Sequence, residues 1–344
     1  NDIFIYGSTL FELMNLSQKF AKAKLIKKHF KISYLKIAST YLLTKDKTVN
    51  LTLNNYTQLS INLFQLFALA KLLENGWHTL SGNKEYLTLK GPDDIVITVN
   101  LFQLPFLAKL LENGWHTLSG NKEYLTLKGP DDIVITVRTK TGFDLGHLVE
   151  IFIDRAYGSD FYDKNVIDVG MSNGDSSIYF AKNGAKKVVG IEPDKVSFNL
   201  AVNNIRASKV DDRVIALNKA LTAEAKDVEL IIYEEHPNAN SIDEKNMVKL
   251  EGNKRKVIVK GVQLKDIVNL FEGEPIGLLK MDCEGCEYAV LNSLDNDTLK
   301  KIEKIYMEYH NGLQNLPEIL NKNGYTLEIT NPAGSIGYIR AKKV

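Results

Sequence analysis

The stretch VIDVGMSNGDSSIYFA, residues 166–181, decides the fold. An apolar run suited to a buried strand ends in a loop holding Gly170 and Gly174, and a helical pattern starts at about Ser176. The same rhythm continues in KKVVGIE (186–192), SFNLAVNNIRAS (197–208), RVIALN (213–218), GLLKMD (277–282), EYAVLNSL (287–294), KIYMEYH (304–310) and NLPEILNKNG (315–324). Short apolar runs alternating with helical segments mark a parallel sheet covered by helices. The closing runs YTLEIT (325–330) and SIGYIRAKK (335–343) read as an antiparallel pair joined through NPAGS.

Open α/β sheets bind ligands at the carboxyl ends of their strands, so the loop after Val169 should lie under a cofactor. A dinucleotide loop needs G-x-G-x-x-G so that pyrophosphate can reach the helix N-terminus. Here Ser172 and Asn173 intrude, and Asp168 brings a negative charge that a pyrophosphate would not tolerate. A donor with a cationic amino acid end and no phosphate, S-adenosylmethionine, suits an acid at that place. Glu192 closes the second run, VVGIEPD, twenty-two residues after Gly170, where a carboxylate can accept hydrogen bonds from both ribose hydroxyls. The expected donor site is therefore Asp168, Gly170, Ser172, Asn173, Gly174 and Glu192, with Asn218 after the third run and Asp282 after the fourth.

LLKMDCEGCEYAVL, residues 278–291, sets Cys283 and Cys286 at metal-ligand or redox spacing among Asp282, Glu284 and Glu287. They are the only two cysteines, so a four-cysteine zinc site is excluded, a disulfide framework is not expected, and a reducing, cytoplasmic setting is the default. No histidine lies within twenty residues of the pair, which argues against zinc.

Residues from about Gly142 to Thr330 resemble an FkbM-type methyltransferase, a family of S-adenosylmethionine-dependent O-methyltransferases. Three segments carry the resemblance: VIDVGMSNGDSSIYFA followed by GIEPD, then LLKMDCEGCEYAVL against a pattern of roughly L-K-I-D-V-E-G-A-E-Y-x-V-L, and KIYMEYH against a strand ending in E-x-H. The two cysteines fall where that pattern carries small apolar residues, so they are expected to act as small hydrophobes and not as ligands. The implied fold is α/β, a doubly wound Rossmann-like class I methyltransferase sheet, mostly parallel with a C-terminal antiparallel pair, over residues 138–344.

The resemblance implies transfer of a methyl group to a hydroxyl of a sugar, glycan or secondary metabolite. The candidate catalytic residues are His310, favoured as general base, Asp282, which would orient the acceptor, and Glu284. For Glu287 the alternative is plain complementarity to a helix N-terminus. No metal is expected; Asp282, Glu284 and His310 could hold Mg²⁺ without the sequence requiring it. Base N-methylation of nucleic acid is disfavoured because DCEG stands where N-P-P-Y would follow the fourth strand, although ribose methylation stays open. A non-catalytic module that keeps the cofactor fold is the other alternative.

With 44% hydrophobic and 25% charged residues and a formal charge of +1, the 344 residues suit an ordinary globular protein and do not by themselves point to nucleic acid. No apolar run is long enough to span a bilayer. Residues 1–61 read as a basic, mainly helical segment in which seven lysines from Lys19 to Lys36 stand without an acid. That run is read as a solvated face, with contact to a membrane surface, nucleic acid or an acidic substrate the sharper alternative. Residues 62–99 and 100–137 are two copies of one α+β unit differing only at Phe67/Pro105 and Ala68/Phe106, the mark of a very recent duplication or a sequence artefact. Trp77, Trp115, His78 and His116 in these copies could suggest a pocket, but a Trp after a helix cap is expected to be a packing residue.

Overall fold

The computed structural model describes residues 16–30, 48–52, 58–246 and 250–344. The chain divides into two compact units, residues 1–130 with 137–149, and residues 131–136 with 150–344. The second unit thus begins at 150 and takes in a short earlier segment, where the sequence reading put one boundary at 138. Lys31 and Lys36 of the basic run lie outside the described residues.

In the first unit, helix α1 (Leu16–Phe30) carries the basic run as far as Lys28. An antiparallel pair, β1 (Thr48–Thr52) and β2 (Gln58–Asn62), follows it, so the segment before the repeats is not wholly helical. Each repeat then forms a helix and a three-stranded antiparallel sheet. The first has α2 (Leu63–Glu74), β3 (His78–Gly82), β4 (Tyr86–Lys90) and β5 (Val96–Asn100); the second has α3 (Leu104–Glu112), β6 (His116–Gly120), β7 (Tyr124–Lys128) and β8 (Val134–Arg138).

The substitutions between copies fall at the helix start. Asn62 caps α2 in a reciprocal capping box with Gln65, whereas α3 has Pro105 in its first turn and no side-chain cap. Its equivalent glutamine, Gln103, is instead buried, bonding Thr139 O and Leu145 N. Trp77 and Trp115 are buried against Gly91 and Gly129, where a Cβ would fall 2.8 Å from the indole, while His78 and His116 are exposed. The tryptophans are packing residues. A short helix, α4 (Asp144–Leu148), presents Asp144, fully buried and ion-paired with Arg138 at 2.8 Å.

The second unit holds the seven-stranded sheet. Its strands are β9 (Asn165–Val169), β10 (Lys187–Ile191), β11 (Val214–Leu217), β16 (Ile276–Met281), β17 (Lys304–Tyr309), β18 (Tyr325–Ile329) and β19 (Gly337–Lys343), in the order β11-β10-β9-β16-β17-β19-β18. The first five are mutually parallel, and β19 runs antiparallel to both β17 and β18. β9 and β16 are buried along their whole length because helices cover both faces, which is why they read as continuous apolar runs.

The connecting helices are α5 (Asp175–Lys182), α6 (Lys195–Ala207), α7 (Leu264–Asn269), α8 (Cys286–Ser293), α9 (Asn296–Lys300) and α10 (Leu316–Lys322). Between β11 and α7 the chain adds short pairs, β12 (Ala220–Leu221) with β15 (Gly261–Val262) and β13 (Val228–Tyr233) with β14 (Lys254–Val259). No helix among the described residues is long and apolar enough to cross a membrane.

Register fixes the site. Asp168 is level with Gly190 on one side and Lys280 on the other, and Lys280 is level with Tyr306. Side chains alternate faces along a strand, so Asp168, Lys280 and Tyr306 share one face. Two residues further along each chain come Gly170, Glu192, Asp282 and Glu308, at the carboxyl ends of four adjacent strands.

Candidate active site

The loop after β9 is held from below. Asp168 is wholly buried; its Oδ2 accepts from the hydroxyls of Ser176 (2.7 Å) and Ser177 (2.6 Å), and its Oδ1 lies 3.3 Å from Lys280 Nζ. Lys280, equally buried, donates to the carbonyls of Gly170 (2.7 Å) and Val169 (3.2 Å). Burial acts to lower the Lys280 pKa, but the charges of Asp168, Asp282 and Asp175 outweigh it and raise the group above its ordinary value. Asp168 therefore supports the loop from beneath.

Gly170 (φ 76°) is a glycine by necessity, since a Cβ there would fall 1.8 Å from the Asp282 carbonyl oxygen. Loop and fourth strand thus touch backbone to backbone, and Asp282 N also donates to Val169 O. Gly174 (φ 87°) lies against Ala201 of α6. Asn173 is buried between them, its carbonyl accepting from Asn204 and its Nδ2 lacking a hydrogen-bond partner.

Glu192 rises beside this loop, its Oε2 accepting from Ser172 N (3.0 Å) and its Oε1 from Asp194 N (2.8 Å). Asn218 Nδ2 donates to the carbonyls of Glu192 and Pro193, and Asn238 reaches Ser172 Oγ at 3.4 Å. The residues expected to hold the donor are thus gathered at one place, with Asn218 braced against the Glu192 backbone.

At the other side of the loop stands His310, directly after β17. Its side chain is 2% exposed; Nδ1 meets Glu287 Oε1 at 2.9 Å, and Nε2 faces Glu284 Oε2 at 3.4 Å and Asp282 Oδ1 at 3.8 Å. Burial disfavours the imidazolium, but Glu284 and Glu287 outweigh it and raise the pKa well above the ordinary histidine value. Burial also lifts Glu284 to about 7 against the opposing pull of His310, and lifts Glu150 to about 7 with help from the Asp282 charge. Glu308 is pushed well above the usual carboxylate range by burial and by Asp282.

Behind burial, their largest cause, the carboxyl shifts register the crowding of negative charge at the sheet edge. A sulfonium cation would relieve it and a pyrophosphate would worsen it, so the residues present fit S-adenosylmethionine.

The cysteine reading needs correction: Cys283 and Cys286 are joined as a disulfide. Gly285, at φ 112°, turns the chain between them so that the two Cα atoms stand 5.5 Å apart, within bridging range. The expectation of two free small hydrophobes failed on the pairing, although Cys286 is buried in the sheet's core and Cys283 packs against it. The reducing setting inferred from the cysteine count loses its support.

Sequence reasoning passed over Lys280 and Glu150 and left Glu287 as a helix-start acid. A lysine inside the apolar run GLLKMD was the available signal for Lys280. Glu150 gave none.

Residues 168–327 match the model of the methyltransferase FkbM domain. Methyltransferase sdnD of Sordaria araneosa is 25% identical over 186 residues, covering 46% of this chain and 72% of that protein. Among solved structures, methyltransferase FkbM from Methylobacillus flagellatus aligns with a TM-score of 0.38 at 17% identity, over 54% of this chain and 46% of its own. The M. capricolum TrmK structure in complex with S-adenosyl-homocysteine aligns with a TM-score of 0.35 at 12% identity, over 54% of this chain and 65% of its own. Residues 168–327 thus match a methyltransferase FkbM domain, and the chain is an S-adenosylmethionine-dependent methyltransferase.

Proposed function

We propose that the domain methylates a hydroxyl of a small-molecule or glycan acceptor. The observation that carries this reading is the pair of carboxylates Asp282 and Glu284, with His310 against them, at the ends of β16 and β17, immediately beside the loop after β9 through the Gly170–Asp282 contact. When bound, S-adenosylmethionine supplies a methyl group already activated by its positive sulfur. Asp168 and Lys280 fix the loop, Gly170 to Gly174 line it, and Glu192, braced by Asn218, accepts the ribose hydroxyls.

What the chain must add is alignment of the acceptor oxygen and removal of its proton. Orientation can contribute effective molarities of about 10⁵–10⁸ M, and a positioned base about 10²–10⁴-fold. His310, clasped by Glu287 on one nitrogen and Glu284 near the other, is held as an imidazolium and cannot take a further proton. In this proposal Glu284 receives the hydroxyl proton, His310 positions it, and Asp282 orients the acceptor. The favoured base thus moves from His310 to its neighbour.

Transfer of labelled methyl from S-adenosylmethionine to panels of sugars, lipid-linked glycans, hydroxylated small molecules and RNA tests the reading. Label retained on an alkali-stable ether of a sugar or small molecule supports it. Label only on RNA ribose would move the reading to nucleic acid.

A further inference from the structure

The same strand edge brings three side chains of metal-ligand type together. Asp282, Glu308 and His310 each offer a ligand atom, and these atoms all lie within 4.8 Å of one another. Their convergence is built into the sheet: Met281 pairs with Met307, so the residues one step on, Asp282 and Glu308, stand level on adjacent strands, and His310 follows two residues after Glu308. No flexible loop has to fold over to bring them together.

A second, independent feature concerns the imidazole itself. The ring is buried, Glu287 Oε1 takes Nδ1 at 2.9 Å, and Nε2 enters no hydrogen bond while it faces Glu284 Oε2 at 3.4 Å and Asp282 Oδ1 at 3.8 Å. A buried carboxylate on the far nitrogen is the arrangement that fixes ring orientation and tautomer and raises the basicity of a metal-ligating histidine. Glu287 is fully buried and spends its Oε1 on this contact, which helix N-terminal complementarity would not require.

We propose that Asp282, Glu308 and His310 bind one divalent transition-metal ion of the manganese(II) type. Two carboxylates with one imidazole mix the oxygen ligands that suit Mg²⁺, Ca²⁺ and Mn²⁺ with the nitrogen that suits first-row metals, and Mn²⁺ accepts both. A cation on Nε2 replaces the proton there, which leaves to solvent, and offsets the crowded carboxylates. Ligand atoms up to 4.8 Å apart must close by roughly 2 Å to reach the about 2.9 Å between adjacent octahedral ligands, since Mg²⁺-like ions bind oxygen at about 2.0–2.1 Å. The ion would face the acceptor hydroxyl, next to Glu284. It is detected without donor or acceptor, so its absence would leave the methyl-transfer reading standing.

The test is a titration of the metal-free full-length chain with Mn²⁺, following free Mn²⁺ by electron paramagnetic resonance. One equivalent should bind, and Glu308→Gln should weaken binding by more than the about 10–100-fold that outer-sphere changes cause. Calorimetry with S-adenosylhomocysteine shows that the variant is folded and its donor site intact. Wild-type protein with Mn²⁺ should also show nitrogen hyperfine coupling, lost in His310→Gln, so the assignment stays testable if Glu308→Gln does not fold. Absence of Mn²⁺ binding, unchanged binding in Glu308→Gln, or bound Mn²⁺ without nitrogen coupling would each overturn it.

Discussion

Lys280 and Asp168 form a buried ion pair at 3.3 Å, with side chains 3% and 0% exposed, directly beneath the loop after β9. The pair is satisfied on both sides, by two serine hydroxyls on Asp168 and two backbone carbonyls on Lys280. Removing one partner leaves an uncompensated buried charge, which costs about 3–5 kcal/mol. Lys280→Met should lower unfolding free energy by that order in urea titrations, whereas the double variant Lys280→Met/Asp168→Asn should recover much of it. If Lys280→Met is as stable as the wild type, the pair does not support the loop.

Glu192 accepts two backbone N–H groups and stands where ribose hydroxyls are expected. Glu192→Ala should weaken S-adenosylhomocysteine binding by about 1.5–3 kcal/mol, the value of hydrogen bonds to a charged group. Calorimetry reads this directly. Wild-type affinity in the folded variant would remove Glu192 from the donor site.

A separate pH effect belongs to the first unit. Burial acts to raise the Asp144 carboxyl, but the Arg138 charge and hydrogen bonds outweigh it and hold the pKa below the usual range. The folded pKa is depressed, so the unfolded chain binds more protons in the window between the two values. The contribution is therefore complete above the unfolded value of about 3.9 and is lost as pH falls through the folded value. Asp144→Asn should destabilise the protein at neutral pH, and the difference from wild type should shrink as pH drops below about 4. Thermal denaturation across that range measures it; a constant difference would mean that Asp144 does not titrate with folding.

Much of the second unit was legible because a doubly covered parallel sheet writes itself as apolar runs that end in functional residues. Asp168, Glu192, Asp282 and His310 all close such runs, and the register brings them to one edge. What each does there was less legible, since that depends on partners far away in sequence. Lys280, separated from Asp168 by more than a hundred residues, pairs with it beneath the loop. Glu287 clasps His310 and thereby changes what the imidazole can do. The disulfide escaped because a count of two cysteines says nothing about the turn Gly285 makes between them.

The last prediction concerns the proton. Glu284 Oε2 is buried, has no hydrogen-bond partner and faces His310 Nε2 at 3.4 Å, while the residue's positive φ of 55° aims the chain at the turn before α8. Ser241 Oγ donates to the Glu284 carbonyl, which fixes that turn from the opposite side. If Glu284 takes the acceptor's proton, Glu284→Gln keeps the shape, removes the base and should lower kcat by about 10²–10⁴-fold. Affinity for S-adenosylhomocysteine should change little, because the donor loop does not lean on this side chain. His310→Asn should give a smaller loss of kcat, accompanied by a shifted pH–rate profile, since it alters Glu284 through its neighbour and not the acceptor directly. Full turnover in Glu284→Gln with a hydroxyl acceptor would return the proton to His310 or Asp282. A single-turnover measurement with saturating donor separates this from a change in acceptor binding.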